Sequence, residues 1–207
     1  MAYYYLGQYY KGSMEDERCK AILNLVDNVD VVEDLRHSIY NLSKESIEKI
    51  RESALEYEKE NGNLEGYKLP TVEKNVGTLL DYQTKGVAFM YLAQRCLLGD
   101  EVGMGKTVQI AGLINFLRVQ YRKLGKEFRF CFLGEKAGVN QLASKLIQFT
   151  GEYVGVIECG EQKFVKKYLK ANESKRYYSI VGTHALLDSP EFVMDCARRP
   201  FDLMVFD

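Results

Sequence analysis

The run Gly99-Asp100-Glu101-Val102-Gly103-Met104-Gly105-Lys106-Thr107 constrains this chain more than any other stretch. Before it stands the apolar triplet Cys96-Leu97-Leu98, which reads as a short buried strand. After it, apolar residues recur at helical spacing over residues 107–117. A glycine-rich turn in that setting lets successive backbone N–H groups point inward as a concave anion nest. The helix opening at about Lys106 adds its positive N-terminal end. Lys106 has the chemistry to reach the β- and γ-phosphates of a nucleotide, and the Thr107 hydroxyl to ligate Mg²⁺. The strict pattern G-x-x-x-x-G-K-S/T asks for glycine where this chain has Asp100. The competing reading of G-K-T, an ordinary helix start, fits the strand–helix context less well.

The surrounding rhythm is strand–helix alternation. Helices are expected over residues 79–93, 107–117, 140–149, 162–171 and 190–197, and strands over 96–98, 128–133, 153–158, 177–181 and 203–206. Near-continuous apolar strands between helices imply an α/β fold, a parallel sheet with helices on both faces. Ahead of this lies a different region. Residues 2–11 are tyrosine-rich and read as a short strand or an ordered arm. From residue 13 to 61 the pattern is helical, with Ile22, Leu25, Val26 and Val29 on one face and Ser43 placed as an N-cap. The turn-rich stretch at residues 61–70 marks a boundary. The expected organisation is a helical accessory region over residues 1–66 and an α/β lobe carrying the phosphate loop over 67–207.

Composition narrows the class. The 207 residues carry 28 Lys+Arg against 29 Asp+Glu, a net charge of −1, so any nucleic-acid contact must be local. Hydrophobic residues at 46% and charged residues at 28% argue for a folded globular chain. No apolar run approaches the roughly 20 residues a membrane span needs, and the N-terminus lacks the pattern of a secretory signal. Cys19, Cys96, Cys131, Cys159 and Cys196 are odd in number and scattered, reading as reduced core thiols and not as disulfides or zinc ligands. A cytoplasmic chain is expected, nuclear if eukaryotic.

The departure at Asp100 carries information. D-E-x-G-x-G-K-T resembles the nucleotide-binding loop of the Snf-type (Swi/Snf-like) branch of the superfamily-two helicases. Within residues 80–89, Tyr82-Gln83-Thr84-Lys85-Gly86-Val87-Ala88-Phe89 is similar to that family's Y-Q-x-x-G-V-x-W/F, and its distance from Lys106 suits the family. Downstream, Gly134-Glu135-Lys136-Ala137-Gly138-Val139-Asn140-Gln141 occupies the place of a family motif P-x-S-x-x-x-N-W. There Gly134 replaces the proline, Lys136 the serine and Gln141 the tryptophan, while Asn140 matches. The segment Val181-Gly182-Thr183-His184-Ala185-Leu186 sits where the next motif is expected and looks as much like RecG-type translocases as like the Snf type. Phe201-Asp202-Leu203-Met204-Val205-Phe206-Asp207 resembles the strand that introduces D-E-x-H/D.

The resemblance implies a RecA-like, P-loop NTPase lobe of a DNA-dependent ATPase that moves on nucleic acid, double-stranded DNA above all. It implies ATP and Mg²⁺ as cofactors. Gln83 would read adenine. Asp100, Glu101, Val102, Gly103, Met104, Gly105, Lys106 and Thr107 would form the phosphate site. Lys106 and Asp207 would be catalytic, Thr107 and Asp207 would hold the metal, and Lys136, Asn140 and Thr183 would touch the nucleic-acid backbone. It also implies that the lobe is truncated at Asp207, needs a second RecA-like lobe, and has negligible turnover by itself. A RecG-like or restriction-type motor is the alternative within the superfamily. A non-enzymatic nucleotide-binding module that engages a protein partner through its helical N-terminal region is the alternative outside it. The basic run at residues 163–170 is read as a solvated helix face before a phosphate contact, and His184 as an ordinary loop histidine.

Overall fold

The computed structural model describes residues 3–5, 21, 24, 79–150, 154–157, 165 and 179–207. These fall into two compact units, one with residues 3–5, 21, 24 and 79–119, the other with 120–150, 154–157, 165 and 179–207. Of the expected helical region over 1–66, the strand residues 3–5 and the helical Ala21 and Asn24 are described; the remainder lies outside the described residues, as does the 162–171 helix apart from the buried, helical Val165.

In the first unit, strand β1 (Tyr3–Tyr5) runs antiparallel to β2 (Cys96–Leu98), with Tyr4 opposite Leu97. Helix α1 (Asp81–Ala93) buries Val87, Ala88, Phe89 and Met90. Its last turn closes on Gln94, whose left-handed φ of 61° lets its N–H donate to Met90 O. Helix α2 (Lys106–Lys123) follows the loop after β2 and buries Ile110, Ala111, Leu113 and Ile114. Tyr91 meets Phe116 edge to face at 4.9 Å, joining α1 to α2.

The second unit is built on a parallel sheet of four strands in the order β4-β5-β3-β6, where β3 is Phe130–Gly134, β4 Gly155–Ile157, β5 Ile180–Thr183 and β6 Leu203–Phe206. Every residue of β3 is buried, as an apolar strand between two neighbours in a parallel sheet must be. Phe132 and Leu133 are exposed by 1% and 0%, and each such side chain contributes about 1.5–3 kcal/mol of burial. Helix α3 (Val139–Thr150) lies against β4 and β5 and buries Val139, Ala143, Leu146 and Ile147, one face at three-to-four spacing. A 3-10 turn (His184–Asp188) joins β5 to helix α4 (Pro190–Arg198). At the N-terminal edge of the sheet, the Arg129 guanidinium lies 4.6 Å over the Phe201 ring and donates to Arg199 O at 2.7 Å. The Arg129 backbone N–H donates to Asp202 Oδ2 at 2.8 Å.

Several details differ from the sequence expectation. The expected buried strand β2 is partly exposed, Leu97 by 54%, and β5 runs on to Thr183 and not to residue 181. The parallel sheet takes in β3, β4, β5 and β6, whereas β2 pairs with the tyrosines of β1, whose aromatic side chains favour extended backbone. Helix α2 also runs to Lys123 and not to residue 117. The apolar rhythm fades at Arg118, yet Arg118 is itself buried, with Nη1 on Asn115 Oδ1 at 3.3 Å, and the helix continues to a glycine stop. Gly125 adopts φ 66°, and Lys126 N–H reaches back to Tyr121 O at 2.9 Å. No helix among the described residues is long and apolar enough to cross a membrane.

Candidate nucleotide loop and sheet edge

The loop between β2 and α2 owes its path to two glycines with positive φ, Gly103 at 90° and Gly105 at 74°. A Cβ on Gly105 would stand 2.5 Å from Gln83 Nε2, so the absent side chain also makes room for the glutamine amide. Gln83 is buried at the first turn of α1, where its Oε1 accepts from the Leu80 N–H at 3.1 Å. Its Nε2 makes a long contact of 3.5 Å to Met104 O, the carbonyl that also accepts from Tyr82 OH at 3.2 Å. The amide of the expected adenine reader is thus held at both ends, its oxygen by the start of α1 and its nitrogen against the loop.

Lys106 is drawn back into the loop. Its Nζ donates to Asp100 O at 2.7 Å and to Glu101 O at 3.2 Å. Thr107, the second residue of α2, is partly exposed, and Val102 at the tip is 98% exposed. Glu101 points to solvent, but Asp100 does not: it is 7% exposed, and its Oδ2 accepts from Gln109 Nε2 at 2.8 Å. Gln109 escaped the sequence reading. Its signal is an amide on the otherwise apolar face formed by Ile110, Leu113 and Ile114, two positions past Thr107.

In the second unit the remaining expected residues gather at one edge. The register pairs Gly134 with Thr183 and Leu133 with Phe206, so β3, β5 and β6 all end there, and Asp207 is the next residue. In parallel α/β sheets this carboxyl end is where ligands bind. Asp207 is exposed, its N–H donating to Leu133 O at 3.0 Å. Lys136 is exposed in the turn before α3, and Asn140 lies in the first turn of α3. Thr183 is 5% exposed, and its Oγ1 is buried without a hydrogen-bond partner. Away from this edge, burial pushes the Cys131 thiol up to about 12, with the neighbouring Cys196 adding to the shift and Arg129 opposing it.

A strand–loop–helix carrying G-x-G-K-T with its glycines at positive φ, in a chain that also builds a parallel α/β sheet, fits a P-loop NTPase fold of the RecA-like kind. Residues 82–192 match the SNF2-related domain. The chain belongs to that family, a branch of helicase-like ATPases. A further similarity is to the chromatin remodeling factor mit1 of Schizosaccharomyces pombe, 41% identical over 64 residues. That stretch covers 29% of this chain and 4% of the length of mit1.

Proposed function

We propose that this chain binds ATP with Mg²⁺ as the first lobe of a motor that couples hydrolysis to movement on double-stranded DNA. The observation that carries the reading is the loop itself. Two glycines of positive φ shape it at the head of α2, and Lys106 Nζ lies within it on the Asp100 and Glu101 carbonyls. Phosphate oxygens would replace the Asp100 and Glu101 carbonyls as acceptors for the Lys106 ammonium. Gln83, with a donor and an acceptor on one amide, suits an adenine edge. Thr107 and Asp207 offer the oxygen ligands Mg²⁺ prefers, and the ion would neutralise phosphate charge.

The nucleic-acid part of the proposal rests on the carboxyl edge of the second sheet. Exposed Lys136 supplies charge there, Thr183 a hydroxyl without a partner, and Asn140 an amide on the first turn of α3, all polar groups suited to a phosphate backbone. Likeness to a chromatin remodeling factor supports DNA in chromatin as the track and the nucleus as the setting in a eukaryote.

The deciding experiment is titration of the chain with a fluorescent ATP analogue in the presence of Mg²⁺. Saturable binding that Lys106→Ala weakens by about 10-fold or more is expected, the scale of a charge-assisted contact. Binding unchanged by that substitution would overturn the assignment. In a companion titration with duplex DNA, Lys136→Ala should weaken binding and reduce its salt dependence by about one ion.

A further inference from the structure

Asp100 stands where the strict phosphate loop has glycine, and its surroundings give it work other than meeting the nucleotide. Its carboxyl group is buried against α2, where Oδ2 accepts from Gln109 Nε2 at 2.8 Å. Gln109 has no exposed surface. The other oxygen of each group, Asp100 Oδ1 and Gln109 Oε1, is buried without a hydrogen-bond partner. A single bond therefore joins two groups whose burial is costly when their hydrogen bonds are unmade.

Gln109 grips the loop twice. Its side chain holds Asp100 at the start, and its backbone N–H donates to Gly105 O at 3.0 Å at the finish. Between those anchors lie Glu101, Val102, Gly103 and Met104, joined across by a Met104 N–H to Glu101 O bond of 3.3 Å. The Asp100 carbonyl is also the closer acceptor for the Lys106 ammonium. Moving Asp100 would move the loop amides and the resting place of the lysine together.

We infer that Asp100 and Gln109 form a buried clasp that positions the phosphate loop, making Asp100 a positioning residue and not a nucleotide contact. What the loop is positioned for rests on the nucleotide reading above. The clasp explains why an acidic side chain occupies a site that generic loops leave bare. A carboxyl group there spans from the loop's start to the second turn of α2 and fixes an otherwise glycine-loosened path.

The test reverses donor and acceptor. Gln109→Glu sets two carboxyl groups face to face. The double variant Asp100→Asn with Gln109→Glu restores one donor and one acceptor with their roles exchanged. Two readouts are taken on the 207-residue chain: amide hydrogen exchange of residues 101–105 without nucleotide, and binding of a fluorescent ATP analogue with Mg²⁺. Gln109→Glu is expected to speed loop exchange and weaken binding by about 10-fold each, the double variant returning both to within about 3-fold of the parent. Exchange of residues 84–93, in helix α1 of the same unit as the loop, serves as the folding control and should stay unchanged. Should Gln109→Glu disturb that control, Asp100→Ser, which shortens the side chain without adding charge, takes its place and must still loosen the loop.

Parental loop exchange and binding in a folded Gln109→Glu chain would overturn the clasp. So would a double variant no better than the single one. A parent chain that binds no ATP analogue, yet whose loop loosens in Gln109→Glu, would overturn the nucleotide reading and leave the clasp standing.

Discussion

Gly105 answers two demands with one missing side chain. Its φ of 74° is a conformation that L side chains rarely adopt, and its open side receives Gln83 Nε2. Gly105→Ala would meet both at once, so a loss of about 1–3 kcal/mol in urea denaturation is expected, with ATP-analogue binding lost alongside. Gly103 has the same backbone demand but open space around its Cβ position. Gly103→Ala should therefore fall near the lower end of that range. Cysteine 131 gives a residue-scale prediction in the second unit. With its thiol pushed up to about 12 by burial, it should resist iodoacetamide at pH 8 while the partly exposed Cys96 reacts, as peptide mass spectrometry would show. The glycine loop could be read from residue order because G-x-G-K-T names its own backbone geometry. Gln109 is marked only as an amide on an apolar helix face, and its partner across the turn is not written in the residues beside it.

Among the elements, α4 shows how a helix start is written locally. Ser189 accepts at Oγ from the Phe192 N–H at 3.4 Å, Pro190 takes the first helical position, and Glu191 adds acid to the first turn. Ser189→Ala is expected to cost about 1 kcal/mol, measured as a shift in the urea midpoint at unchanged slope. This helix, the β6 strand and α1 were legible to within two residues, since capping residues, proline and apolar runs act over a few positions. The partner of β2 was not. Three apolar residues carry no mark of which strand they will join, and pairing with Tyr3–Tyr5 spans most of a hundred positions. The end of α2 was missed for another reason: Arg118 looks like solvent-facing charge, while its long stem packs inside and its head finds Asn115.

On the scale of the whole molecule, the sheet in the second unit is fastened at one edge and chemically open at the other. Arg129, Arg199, Phe201 and Asp202 are tied together where β3 and β6 begin, whereas Gly134, Thr183 and Asp207 end the strands with exposed or unpartnered polar groups nearby. The buried Cys131 couples this sheet to pH. Its folded-state pKa is raised, so its contribution is fully present below about 9 and is lost as pH rises through about 12. Urea midpoints measured from pH 8 to 11 should fall progressively above pH 9, and Cys131→Ser should change that slope.

The inward-folded Lys106 bears on selectivity. Its ammonium already has two acceptors, so an arriving anion meets a rival that belongs to the same chain and is always at hand. A lone phosphate ion would exchange those carbonyls for its own oxygens and gain little. A di- or triphosphate has more oxygens with which to displace the carbonyls, so the rivalry would favour the longer ligand. If the loop takes a nucleotide as proposed, Lys106 would thereby help it select by phosphate-chain length and pass over the inorganic ion.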